Sequence, residues 1–580
     1  MPARRRLTGG KTISPGIVIG TTRIVVPGET AVAEMAIAAA DVRTETTLLE
    51  GAIEETIAEL RELRESAGKK IGGPVAKIFD AQLLIAADNE FLKQVKEQIA
   101  AQKRNAGYIY NQLVRQTTLP LKKSPDNYLR QMANDIEAVA NRVLSHLSGF
   151  GKSTIKVGPN TILVGKQFTP GDILKYREEK VIGFVISQGG ADSHAALISR
   201  ALLLPLLQIP SAWIEIPNGV RVILDGTTGD VIIHPTDDEV AQFQKLRRRM
   251  GPAAVRRIKK LPSIPPKTLD GKSIEIAANL TLPGPADDIL AERNIPVGLF
   301  RTEFLYLAHS KFPDEEVQYE HYRSIAIRFS PADVVIRVFD LGNDKLAPHD
   351  SAAREENPAL GWRGMRALLD LGGILRTQLR AILRASVHGN IRILLPMVSD
   401  MAELEKTRRI LSQVKLKLRQ EKIPFDENIK LGIMVEVPSV ALMAEEFAAR
   451  VDFFSIGSND LTQYTLAADR GNARLQDLYS AYHPSVLRLI HRTVQAAKQH
   501  EIPVSICGEA AGDIFGLPIF IGMGISQLSM SPQRIFDVCR TISKIDTSLL
   551  PALTTAVLGS RSLDVAMRNL RDFRKAVDKR

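Results

Sequence analysis

Apolar residues recur along the chain with two periods, and the switches between them divide it. Residues 12–26, Thr-Ile-Ser-Pro-Gly-Ile-Val-Ile-Gly-Thr-Thr-Arg-Ile-Val-Val, form a β-branched run broken by Pro15 and Gly16, which predicts a strand preceded by a turn. From about 37 to 148 the spacing lengthens. Leu49, Ile53, Ile57, Leu60 and Leu63 recur at intervals of three and four and mark one buried helix face. Gly72-Gly73-Pro74 interrupts, Ile78–Leu84 belongs to a second helix, and further helical stretches lie near 91–116 and 127–147. At Thr161 the short period returns. Ile162–Val164, Val181–Ser187 and Val220–Leu224 read as strands with one helix after Ser193, and Asp225-Gly-Thr-Thr-Gly-Asp230 reads as a hairpin turn into Val231–Ile233. An all-α insertion therefore interrupts an α/β domain.

Residues 236–260 read as a basic helical linker holding Gly251-Pro252. Beyond about 270, short apolar strands alternate with amphipathic helices: Ile274–Ala278, Gly298–Phe300, Val334–Phe339, Ile391–Pro396, Gly432–Val437, Phe453–Ile456 and Val504–Cys507. Seven or eight β–α units in some 300 residues are what a closed (β/α)8 barrel requires. An open doubly wound sheet is the other arrangement that fits this alternation, but its Gly-rich dinucleotide fingerprint is missing.

Composition narrows the class. The chain has 580 residues, 44% of them hydrophobic, enough for two to four domains with cores of their own. Two cysteines, Cys507 and Cys539, cannot staple a chain of this length, which fits a reducing compartment, so a cytoplasmic location is expected. No apolar run approaches the roughly 18 residues of a membrane-spanning helix, so no membrane insertion is expected. The net charge of +11 is concentrated: residues 1–12 carry four Lys/Arg and no acid, and residues 241–260 carry eight and none. With only 5% aromatic residues to stack bases, solvated segments explain this charge better than a nucleic-acid groove.

Candidate chemistry clusters at the C-terminal ends of the barrel strands, which converge on one mouth. Arg301, Arg337, Arg363, Glu436, Asn459, Asp460, Arg470 and Cys507 all lie at or just beyond such ends. One charged residue there is ordinarily a surface ion pair; eight functional groups on separate strand ends are not. Forked arginine donors suit an anion with phosphate and carboxylate oxygens. Glu436 and Asp460 suit a Mg²⁺ shared with substrate oxygens, and Cys507 beside them suits a proton donor. In the α/β half, Gly189-Gly190-Ala191-Asp192-Ser193-His194 leaves a strand and starts a helix, whose positive end would stabilise a phosphoryl group on the His194 ring.

At these residues the chain resembles Enzyme I of the bacterial phosphotransferase system, the phosphoenolpyruvate–protein phosphotransferases, nearly end to end. The motifs are Gly298-Leu-Phe-Arg-Thr-Glu-Phe-Leu305, Glu355-Glu-Asn-Pro-Ala-Leu-Gly-Trp-Arg363, Asp452–Tyr464 (Asp-Phe-Phe-Ser-Ile-Gly-Ser-Asn-Asp-Leu-Thr-Gln-Tyr) and Cys507-Gly-Glu509. The resemblance implies an α/β multidomain chain: a swivelling α/β phosphohistidine domain (1–29 and 149–235), an inserted all-α domain (30–148) that binds the phosphocarrier HPr, a linker (236–265) and a C-terminal (β/α)8 TIM barrel (266–580) that binds phosphoenolpyruvate and dimerises. It implies that Arg301, Arg337, Arg363, Asn459, Asp460 and Arg470 meet the substrate. Glu436 and Asp460 bind Mg²⁺, Cys507 protonates the enolate to pyruvate, and His194 carries the phosphoryl group to HPr.

The chain departs from the family's usual pattern at several points. Asp192 stands where Thr is usual, Ile173 replaces a hydroxyl that pairs with the His, and Asn343 replaces Gly. On the expected carrier-docking helices Gln82 stands for His and Met132 for Arg. These changes leave a second reading, a phosphoenolpyruvate-binding sensor or scaffold with weak phosphorelay. A third, a relative of pyruvate phosphate dikinase or phosphoenolpyruvate synthase, is disfavoured because no Gly-rich phosphate loop or ATP-binding domain precedes the His domain.

Overall fold

In the computed structural model the described residues are all but 1–3, 26–32, 71–72, 125–126, 149–156, 189–193, 203, 227, 251–255, 262–263, 282–285, 308–311, 343–354, 356, 471–474, 476 and 579–580. They divide into two units, residues 1–247 and residues 248–580 apart from 307–310. Asp192, Gly251-Pro252 and Asn343 lie outside the described residues.

The first unit is built on an eight-stranded sheet. Its strands are β1 (Arg5–Leu7), β2 (Lys11–Ser14), β3 (Ile17–Val25), β4 (Thr161–Gly165), β5 (Gly183–Ile186), β6 (Leu206–Gln208), β7 (Arg221–Asp225) and β8 (Asp230–Ile233), in the order β1-β8-β7-β3-β4-β5-β6-β2. The centre, β3 to β6, is parallel, and β7–β8 is the expected hairpin with Asp225 opposite Asp230. β3 pairs with β4 although more than 130 residues separate them, with Thr21 opposite Thr161. The intervening chain is helical, so the helices leave and rejoin one continuous sheet.

Those helices are α1 (Val42–Lys70), α2 (Gly73–Ala86), α3 (Asn89–Gln102), α4 (Ala106–Lys123) and α5 (Asn127–Leu147). Leu49, Ile53 and Leu60 of the predicted α1 stripe are buried, with Leu49 packed against Val95, Ile109 and Val143. Each such leucine contributes on the order of 2 kcal/mol. The stretch expected near 91–116 is two helices. Lys103 takes a left-handed conformation that ends α3, and Asn105 precedes α4. Two further helices flank the sheet, α6 (Pro170–Glu178) and α7 (His194–Ala201). The first went unread from apolar spacing, yet Thr169 and Asp172 form a capping box at its start.

The second unit is a closed barrel of eight parallel strands: β9 (Glu275–Leu280), β10 (Val297–Arg301), β11 (Val334–Arg337), β12 (Ile391–Leu395), β13 (Lys430–Val435), β14 (Phe453–Gly457), β15 (Val504–Cys507) and β16 (Gln527–Met530). The barrel closes where β16 pairs with β9, Leu528 opposite Ile276. Leu299, Val335, Leu394, Met434, Phe453 and Cys507 belong to one buried cluster. Because every strand runs the same way, all eight C-terminal ends open at one rim.

Candidate active site

The barrel rim is furnished by strand ends. Arg301, Arg337 and Cys507 are the last residues of β10, β11 and β15, and Glu436 follows β13 directly. Asn459 and Asp460 open the helix Ser458–Leu466 that leaves β14. Arg363 is tied to the segment after β11 by a backbone bridge to Gly342.

Asp340 organises two of the arginines. Arg363 donates from Nε to its Oδ1 at 3.1 Å and from Nη2 to its Oδ2 at 2.7 Å, and Arg337 Nη1 lies 3.3 Å from the same Oδ2. Arg337 also donates to Glu303 at 2.9 Å, and the Asp340 N–H donates to that Glu303 oxygen at 3.1 Å. Burial alone would lower both guanidinium groups; Glu303, Asp340 and Glu436 hold Arg337 above its ordinary value, and Asp340 holds Arg363 above its own. Arg301 is different. Burial and then the charge of Arg337 lower it, and its Nε has no hydrogen-bond partner.

Two carboxylates face this cationic cluster. Asp460 lies 3.8 Å from Arg363 and 3.9 Å from Arg470, 8% exposed, and its Oδ1 accepts no hydrogen bond. Glu436 is 1% exposed and accepts the Met397 N–H at 2.7 Å. Burial first, then the charges of Asp460 and Asp340, push the Glu436 carboxyl up to about 8. The chain makes room for it: a Cβ on Gly457 would stand 2.7 Å from Glu436 Oε2.

Cys507 is buried. The Ser455 hydroxyl donates to its sulfur at 3.4 Å, and the thiol donates to the Ile456 carbonyl at 3.4 Å. Burial pushes the thiol up, so it keeps its proton at neutral pH. Asn459 spans neighbouring strand ends: its side-chain oxygen accepts the Glu509 N–H at 3.3 Å and its carbonyl accepts the Tyr479 hydroxyl at 2.9 Å. Gly508 turns the chain between them at φ +95°.

Contacts among the described residues thus link Arg337, Arg363, Arg470 and Asp460, and Arg301, Glu436 and the Cys507 thiol lie within electrostatic reach of Arg337 in that set. Sequence reasoning missed Asp340, Glu303, Ser455 and Tyr464, whose hydroxyl accepts from Arg363 at 3.3 Å. For Asp340 a signal was available: it stands three residues past Arg337 in Arg-Val-Phe-Asp, close enough to pair around a strand end. Among the described residues no group of three or more His, Cys, Asp or Glu is arranged to hold a metal unaided.

His194, in the other unit, is the first residue of α7 and is buried. Its Nδ1 lies 3.7 Å from Asp135 Oδ1 on α5. Gln82, expected on an exposed docking face, is 1% exposed, and its amide donates to that same Asp135 oxygen at 3.4 Å. A polar side chain on an amphipathic helix reads as solvated, and here it is turned inward by a buried carboxylate. Met132 is 39% exposed.

The fold and site define a phosphoenolpyruvate-utilising enzyme. Residues 9–131 match the N-terminal domain of that class, 157–229 its mobile domain and 255–547 its phosphoenolpyruvate-binding domain. Proteins named phosphoenolpyruvate-protein phosphotransferase are similar over nearly the whole length. That of Priestia megaterium is 36% identical over 90% of this chain and 92% of its own. That of Listeria innocua is 36% identical over 96% and 97%, and that of Bacillus subtilis 38% over 87% and 89%. The chain belongs to the phosphoenolpyruvate-protein phosphotransferase family, a family of transferases. Among the described residues no helix is long and apolar enough to cross a membrane.

Proposed function

We propose that the chain takes the phosphoryl group of phosphoenolpyruvate onto His194 and passes it to the phosphocarrier HPr, the opening step of the sugar phosphotransferase system. The observation that carries this reading is the barrel rim, where arginines bracket a buried carboxylate, Asp460, whose Oδ1 accepts no hydrogen bond from the described residues.

Arg301, Arg337, Arg363 and Arg470 hold the phosphate and carboxylate oxygens, with Asn459 beside them. Arg337 and Arg363 are already oriented by Asp340, so little ordering remains when the anion binds. Glu436 and Asp460 fit Mg²⁺, since both are buried oxygen donors and Asp460 Oδ1 accepts no hydrogen bond from the described residues. Bound there, Mg²⁺ supplies positive charge to the substrate oxygens. A ring nitrogen of His194 attacks phosphorus, the bond from phosphorus to the enol oxygen breaks, and its electron pair leaves with the enolate. The protonated Cys507 thiol then gives its proton to the enolate carbon, yielding pyruvate, and recovers one from water.

In this reading residues 1–29 and 149–235 form the phosphohistidine domain and residues 30–148 receive HPr. The barrel (266–580) binds substrate and pairs with a second copy, and residues 236–265 link the two functions. Purified protein incubated with Mg²⁺ and radiolabelled phosphoenolpyruvate tests it. An acid-labile label that disappears in His194→Ala is expected; a label that persists in that variant, or none in the native chain, contradicts it.

A further inference from the structure

The His194 ring sits in a polar contact that the barrel chemistry does not use. Its Nδ1 is buried and makes no hydrogen bond among the described residues, with Asp135 Oδ1 3.7 Å away. Gln82, Asp135 and His194 come from α2, α5 and α7, and none is more than 9% exposed. A buried ring nitrogen left without a partner costs about 1–3 kcal/mol. A closure of about 0.7 Å brings Nδ1 and Oδ1 to an ordinary N–H···O separation. Gln82 Nε2 donates to the same oxygen at 3.4 Å, a second contact that fixes the carboxylate.

We propose that Asp135, braced by Gln82, is a positioning residue that keeps the proton of His194 on Nδ1 and so presents Nε2 as the phosphoryl acceptor. The inference rests on His194 being that acceptor. An ionised carboxylate only accepts hydrogen bonds, so a ring facing it keeps Nδ1–H and turns its lone pair to Nε2. When Nε2 bonds to phosphorus, the ring retains its Nδ1 proton and gains positive charge. That charge lies at the positive end of α7, which disfavours it, and the Asp135 carboxylate offsets the penalty.

The test uses the full chain with ¹⁵N-labelled histidine. His194→Ala identifies the His194 ring signals, and the phosphoenolpyruvate label assay runs on the same variants. The native chain is expected to show mainly the Nδ1–H tautomer. Asp135→Asn is expected to shift the population toward Nε2–H and to slow single-turnover labelling about 10- to 100-fold, as loss of a carboxylate behind a functional histidine does elsewhere. Asp135→Glu is expected to recover part of both. Gln82→Leu, which removes the brace and leaves the carboxylate, should move both readouts the same way by less, and it serves if Asp135→Asn fails to fold. Unchanged tautomer and rate overturn the proposal. So does a slower rate with an unmoved tautomer, which marks a merely structural role, or a shift produced by Asp192→Asn instead. Labelling that survives His194→Ala defeats the acceptor assignment while the tautomer still reads out on its own.

Discussion

Arg363 closes a two-pronged fork on Asp340, Nε on one carboxylate oxygen and Nη2 on the other, while Arg337, three residues before Asp340 at the end of β11, leans on the second oxygen. One buried carboxylate thus sets the aim of two guanidinium groups proposed to bind the substrate anion. Asp340→Ala leaves both guanidinium groups unpaired on that side. Losing one partner of a buried ion pair costs about 3–5 kcal/mol, so urea unfolding should show a loss of that order. The milder Asp340→Asn should raise KM for phosphoenolpyruvate about 10- to 100-fold, equivalent to roughly 1.4–3 kcal/mol.

Glu436 makes stability depend on pH in an unusual direction. The folded chain keeps its proton up to about pH 8, against an ordinary value of 4.5. Between those limits the folded state binds a proton the unfolded state has released, so this group's contribution falls as pH rises through the window. In EDTA, Glu436→Gln should therefore gain stability relative to the native chain between about pH 5 and pH 8.5. Added Mg²⁺ should restore more of the native chain's melting temperature at the higher pH. A gap that shrinks with pH contradicts the assignment.

Cys507, the proposed proton donor, is held as a thiol, because burial pushes its pKa up. Cys507→Ala should bind phosphoenolpyruvate with near-native affinity by calorimetry but form pyruvate about 10²- to 10⁴-fold more slowly. In the native chain the same burial should make alkylation by iodoacetamide slow.

Gly508 holds the turn after Cys507 at φ +95°, and a Cβ there would stand 2.6 Å from Ser458 Oγ. Gly508→Ala combines backbone strain with a clash and should cost about 1–3 kcal/mol by urea unfolding. It should also slow pyruvate formation, since the Ser458 hydroxyl donates to the Cys507 carbonyl.

Most of the barrel was legible because seven of its strands contain short, mainly apolar runs. Val504–Cys507 matches its predicted bounds, and the others shift by one or two residues. The eighth strand, Gln527-Leu-Ser-Met530, was not read because two of its four residues are polar, and pairing with β9 rather than local pattern makes it a strand. The residues proposed to meet substrate stood out at strand ends. Those that hold them did not: Asp340 and Glu303 look like ordinary surface acids until the fold buries them against arginines. Asp135 gave no signal at all, since only the fold brings it within 3.7 Å of His194.

The central claim is that a barrel-bound enol ester gives its phosphoryl group to His194. The most direct measurement is a single turnover with excess enzyme, scoring pyruvate by a coupled dehydrogenase and phosphohistidine by ³¹P NMR. The account predicts that the two rise together in equal amounts, and that both vanish in His194→Ala. Pyruvate appearing with free phosphate instead, or a phosphohistidine signal at another residue, would contradict it.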